Sequence, residues 1–151
     1  ISPSEPPAVD VAVMTSNGAE FGSVIKLAAV DFPAQLTAGD TARFTVTVVW
    51  DALGTPATDY TAFVHLLDEG GERVSGFDQA PALRFPTRYW RQGDRIVTQF
   101  PLTPPSTTGE FVLWVGLYEA ESGGTLLLPI TESAGQSTGD GRVLIGKLIV
   151  Q

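Results

Sequence analysis

The chain has 151 residues, enough for one domain with a sizeable core, and a formal net charge of −8 at a sequence pI near 4.4. Nine scattered basic residues exclude a phosphate-binding face, so nucleic acid is not an expected partner. The absence of cysteine excludes disulfides and thiolate metal sites, and no apolar run approaches the roughly 20 residues of a membrane-spanning helix.

Residues 1–8, ISPSEPPA, are Pro-rich and read as the end of a linker to something upstream. The remainder, 9–151, reads as a single domain built of strands. Val9 to Met14 predicts a short edge strand, and Ser23 to Asp31 a second one closed by Pro33. The Leu36-Thr37-Ala38-Gly39-Asp40 turn leads into Thr41 to Trp50, where Phe44, Val46, Val48 and Trp50 alternate with Thr45, Thr47 and Val49. A period of two is the pattern of a half-buried strand.

Tyr60 to Leu67 is apolar on both faces, which places it centrally in its sheet, with the chain's one histidine, His65, inside it. Asp68-Glu69-Gly70-Gly71 turns the chain into a return strand from Glu72. Ala80 to Gly93 reads as irregular, with room for one helical turn. Strands follow at Arg95 to Leu102 and Glu110 to Glu119, separated by the Pro104 to Gly109 connector. Thr125 to Ile130 predicts another strand, Thr131 to Gly141 a mobile polar loop, and Arg142 to Val150 the last strand.

These eight or nine strands predict an all-β, two-sheet sandwich, immunoglobulin- or fibronectin-like and mostly antiparallel, with a jelly roll as the alternative. The expected core comprises Phe44, Val46, Trp50, Phe63, Val64, Leu66, Val97, Phe111, Leu113, Trp114, Val115, Leu117 and Ile145.

Residues that suggest chemistry are few. A zinc site needs three or four ligands, and His65 stands alone. Its leading reading is a buried imidazole hydrogen-bonded to a carbonyl or carboxylate, with a rim position beside a ligand groove as the alternative. Ser75, His65 and Asp78 form a triad only on paper, without a nucleophile elbow. Asp51, Asp59, Asp68, Glu69 and Asp94 fall at turns, where acids serve local backbone bonds. No cofactor is expected: the turn acids read as solvated, with a structural calcium at Asp68, Glu69 and Glu72, or at Glu119, Glu121 and Asp140, as the alternative. No catalytic constellation emerges, and the expectation is a protein that is not an enzyme. Arg88, Tyr89, Trp90 and Arg91 are the candidate ligand-binding residues, since exposed rings stack on sugars and arginines fork onto hydroxyls or carboxylates. The plain alternative is that Trp90 plugs one end of the sandwich. Trp50 and Trp114 are expected in the core.

The ordered series of Phe63 to Gly71 (FVHLLDEGG), Asp78 with Pro81, Pro86-Thr87, Trp90 with Gly93-Asp94, and Val115 to Leu126 (VGLYEAESGGTL) resembles a known domain. It is the C-terminal β-sandwich of large bacterial membrane proteins similar to dolichyl-phosphate-mannose-type glycosyltransferases. Glu20-Phe21-Gly22 before Val24 to Leu27, and Val143 to Val150, extend the likeness to roughly residues 18–150. The resemblance implies an extracytoplasmic accessory domain tethered to the cytoplasmic membrane, whose partner is the membrane-embedded part of the same polypeptide, with a glycan or lipid-linked sugar as a further partner. It implies structural roles for Trp90 and Tyr118 and brings no catalytic residue. The chain departs from the pattern at Ala82 to Arg88, where Leu83-Arg84-Phe85 stands in place of an expected glycine before proline.

Overall fold

The computed structural model describes residues 15–82, 84–132 and 141–151. The linker at 1–8, the expected strand at 9–14 and most of the 131–141 loop lie outside them. Seven long strands and four short ones form two packed sheets. In chain order they are β1 (Thr15–Ser16), β2 (Glu20–Phe21), β3 (Ile25–Asp31), β4 (Gln35–Leu36), β5 (Phe44–Ala52), β6 (Tyr60–Leu67), β7 (Arg73–Gln79), β8 (Arg95–Leu102), β9 (Gly109–Glu119), β10 (Ile130–Glu132) and β11 (Val143–Val150).

One sheet has the order β10-β2-β3-β5-β8, with β1 also paired to β3; the other has the order β4-β11-β9-β6-β7. All pairings are antiparallel except β4 with β11. This is an immunoglobulin-like sandwich. β6 is interior, as its two apolar faces predict, flanked by β7 at the edge and by β9, which is the central strand of the five.

The alternating residues meet between the sheets. Phe44, Val46, Val48 and Trp50 of β5 face Ala62, Val64 and Leu66 of β6 and Phe111, Leu113, Val115 and Leu117 of β9 in one buried cluster. Trp50 is fully buried, stands edge-on to Phe21 with ring centroids 6.0 Å apart, and donates its indole N–H to Thr98 Oγ1 at 3.1 Å. Thr98 in turn donates to the Pro81 carbonyl at 2.7 Å. A buried tryptophan N–H needs such an acceptor, which explains a threonine on the inward face of β8.

Two expected core residues are elsewhere. The inward residues of β8 are Ile96, Thr98, Phe100 and Leu102, so Val97 points outward and is 38% exposed. In β9 the inward set is odd-numbered, and Trp114 therefore lies on the outer face, partly exposed. Phe63 is buried as expected, but it too belongs to the outer face of its sheet, covered by neighbouring rings rather than by the opposing sheet.

Bulges explain where simple alternation fails. A register shift at Leu144/Gly146 moves the inward positions of β11 from Val143 and Ile145 to Leu148 and Val150. A second shift, at Leu27/Ala29, does the same in β3, where Ile25 and Leu27 give way to Val30.

The expected strand at Thr125 to Ile130 forms only partly. Leu127 makes a single bridge to Tyr118, Leu128 enters the core, and the chain then crosses to the other sheet as β10, beside β2. Thr87–Tyr89 forms the short helical turn expected within Ala80 to Gly93, there as a 3-10 turn.

Candidate functional site

The 84–95 loop packs its largest ring inward. Trp90 is fully buried, its indole N–H donates to the Phe85 carbonyl at 2.8 Å, and its own carbonyl accepts the Thr55 hydroxyl at 2.7 Å. Thr87, also fully buried, accepts the Tyr60 N–H and donates to the Thr58 carbonyl, tying the turn to the start of β6. Trp90 thus closes one end of the sandwich and presents no face to a ligand. Tyr89 is 56% exposed with the Arg88 guanidinium 4.9 Å from its ring centroid, and Arg88 also lies 3.7 Å from Asp59. Arg91 is exposed, while its backbone N–H binds Asp94. The loop therefore retains an arginine-tyrosine surface without the tryptophan.

The turn acids are engaged with backbone. Asp68 Oδ1 accepts the Glu72 N–H at 2.9 Å, and Glu69 Oε1 accepts the Glu110 N–H at 3.2 Å. Asp51, expected at a turn, instead lies within β5, where it takes a two-pronged bond from the Arg95 side chain at 2.7 and 2.9 Å that holds its carboxyl below the usual carboxylate range. Among the described residues no three His, Asp or Glu side chains converge as metal ligands. Asp140, named in the second calcium group, lies outside those residues.

The outer face of the five-stranded sheet gathers most of the unusual side chains. Residues paired across antiparallel strands share a face, so the Phe63–Asp78, Phe63–Gly116 and Thr61–Tyr118 pairings place these groups on the side of His65. Ser75 pairs with Leu66 and belongs to the opposite, core-facing side. The paper triad of Ser75, His65 and Asp78 is thereby divided across the sheet.

Two glycines shape this face. A β-carbon at Gly116 would lie 2.5 Å from the Phe63 ring, so the missing side chain lets Phe63 lie flat on β9. His65 then packs on Phe63 at 4.5 Å between centroids, and Tyr118 stacks on it at 5.9 Å. A β-carbon at Gly76 would lie 2.6 Å from a terminal nitrogen of Arg73, so the guanidinium rests over bare backbone. Gly76 is the register partner of His65, which puts Arg73 beside the imidazole.

These groups line a cleft of about 350 Å³, with Asp78 and Arg142 at its walls and Gly123, Gly124 and Leu127 closing one side. The Tyr118 hydroxyl donates to Asp78 Oδ2 at 2.9 Å. Burial first, and this bond second, raise the phenol above its ordinary pKa. Further along the same face, Leu67, Val112, Trp114 and Lys147, with the acids Asp68, Glu69 and Glu110, line a second cleft of about 440 Å³; the Arg142 guanidinium of the first cleft lies 5.6 Å from the Trp114 ring centroid.

His65 is half-buried, and no group among the described residues hydrogen-bonds its imidazole. It occupies the rim of a cleft, not the bonded core position expected first. Burial, then the field of Arg73, push its pKa down to about 4, with Arg142 adding to the fall and Asp78 opposing it. The imidazole is consequently neutral at pH 7. Because the folded pKa lies below the ordinary 6.5, this stability is fully present above pH 6.5 and is lost as pH falls toward 4. Urea unfolding at pH 7 and pH 4.5 should show a loss that shrinks in His65→Gln; an equal loss in both proteins contradicts a neutral, buried His65.

Tyr118 and His65 line the cleft together with Arg73 and Arg142, which were not singled out from sequence. The one available signal was parity: Gly76 and Gly116 fall on the same strand face as His65, and a glycine within a strand marks close approach.

No protein-family model and no curated protein matches the chain. Among solved structures it is similar to the CARDB domain of a Pyrococcus furiosus protein solved in complex with di-metal ions. The alignment covers 90% of this chain and 96% of that one, at 9% identity and a TM-score of 0.46.

Proposed function

We propose that the chain is a non-catalytic accessory domain that recognises a sugar-bearing partner on the outer face of its five-stranded sheet. The observation that carries this reading is the cleft built by Phe63, His65, Tyr118, Arg73 and Asp78, in which the His65 and Tyr118 rings, packed on a buried Phe63, meet polar side chains of both signs. Such a surface suits a polyhydroxylated ring, which stacks by its apolar face and is oriented by a few polar groups. The adjoining Trp114 cleft lies on the same sheet face and suits a ligand longer than one ring.

The resemblance supports a setting for this activity. In it, the domain stands outside the cytoplasmic membrane, tethered to a glycosyltransferase-like membrane protein, and positions its partner for the catalytic part. The coding sequence upstream of Ile1 tests the setting: transmembrane segments favour it, and their absence overturns it.

Binding itself is tested by calorimetric titration with neutral and acidic oligosaccharides. Tyr118→Ala, which removes a partly exposed ring, should abolish detectable binding with the fold intact. The double variant Arg88→Ala/Arg91→Ala should bind as the parent does. Loss confined to the double variant would move the site to the 84–95 loop and overturn the assignment.

A further inference from the structure

We propose that the His65–Tyr118 cleft is selective for a sugar carrying one carboxylate, a hexuronate, with Arg73 as the carboxylate-binding residue. This deepens the proposed function and rests on it.

The charge distribution is the first reason. In a protein of net charge −8, two of the nine basic side chains, Arg73 and Arg142, line one cleft of about 350 Å³. Arg142 is already stacked near Trp114, whereas no carboxylate among the described residues pairs with Arg73. The second reason is placement. Arg73 lies in the space that a side chain at Gly76 would fill, so its planar fork rests over the strand beside His65 while the residue stays exposed to a ligand. A guanidinium offers paired N–H donors, the geometry a carboxylate accepts.

The remaining groups narrow the ligand. Asp78 sits in the same cleft and is held by the Tyr118 hydroxyl. Its negative charge disfavours a dianion such as a phosphate ester, while its oxygens accept hydroxyl donors. The neutral imidazole of His65 adds a donor and an acceptor without net charge. The Arg73 guanidinium over Gly76, one acceptor carboxylate and the aromatic rings together match a hydroxylated ring with a single carboxylate.

The test uses D-glucuronate, D-glucose and D-glucose 6-phosphate as probes, with the lone histidine as reporter. With one histidine in the sequence, the Hε1 ring proton of His65 gives an unambiguous imidazole resonance. Arg73, Arg142, Asp78 and Tyr118 are the charged and titratable groups around it. A bound carboxylate offsets the field of Arg73 and raises the His65 pKa above about 4. Glucuronate should bind more tightly than either other probe and raise that pKa. Arg73→Gln, at an exposed position, should keep the thermal melt and weaken glucuronate binding at least about tenfold. Gly76→Ala, which displaces the guanidinium, should weaken it in the same direction.

Glucose binding as tightly as glucuronate, or an unchanged affinity in Arg73→Gln, overturns the carboxylate inference and leaves the sugar-binding reading in place. Tighter binding of glucose 6-phosphate overturns the preference for a monoanion. Binding of none of these sugars, nor of the oligosaccharides, overturns both readings.

Discussion

Trp50→Ala is expected to destabilise the fold by about 3–5 kcal/mol, one of the two largest losses expected at a single position. The ring is fully buried between β3 and β8, contacts Phe21 edge-on, and spends its one polar atom on Thr98. Truncation leaves a cavity at the middle of the core and strands the Thr98 hydroxyl with only Pro81 as partner. Trp50→Phe fills most of the cavity and loses the hydrogen bond, so it should cost less. Urea unfolding of the three proteins measures both steps. A loss below about 1 kcal/mol in Trp50→Ala would show that the sandwich does not close on this ring.

Trp90→Ala is expected to cost a similar amount, about 3–5 kcal/mol. Its reasons differ, because Trp90 anchors a loop instead of a strand. The ring packs against Phe85 with centroids 6.4 Å apart, and its indole N–H satisfies the Phe85 carbonyl, so the 85–90 turn closes around it. Removal should both lower the unfolding midpoint and expose 85–90 to proteolysis before global unfolding. A ring used for sugar stacking behaves otherwise: its removal changes stability by no more than about 0.5 kcal/mol. That smaller value would return the loop to the candidate site.

The contrast between these tryptophans and Trp114 explains what the sequence makes legible. β6, β8 and β9 could be read almost to the residue because their apolar runs are bounded by turn residues such as Gly, Pro and Asp, whereas β5 begins three residues later and ends two residues later than expected. Inwardness was harder. Ile96 and Val97 are adjacent and equally apolar, and the parity that faces the core is the one that carries Phe100, Leu102 and the Thr98 hydroxyl that accepts the Trp50 N–H. Trp114 lies in a strand apolar on both faces, where size alone suggests burial and parity dictates the outer surface. The bulges at Leu27/Ala29 and Leu144/Gly146 leave no sequence signature, since an extra residue looks like any other.

The cleft was less legible than the fold. It depends on two absences of side chain, at Gly116 and Gly76, and on register pairs drawn from β6, β7 and β9. Arg73 and Tyr118 are 45 positions apart in the chain and meet only because both strands flank β6. Aromatic and arginine residues close in sequence, at 88–91, gave the stronger local signal. In the folded chain their tryptophan serves the loop's own packing.

The most direct test of the central claim is amide and side-chain chemical-shift mapping of the 151-residue domain during titration with an acidic oligosaccharide. The account predicts shifts confined to β6, β7 and β9, strongest at His65, Gly76 and Tyr118, and saturating together. Shifts centred on Arg88, Tyr89 and Arg91 with the sheet face unchanged would contradict it.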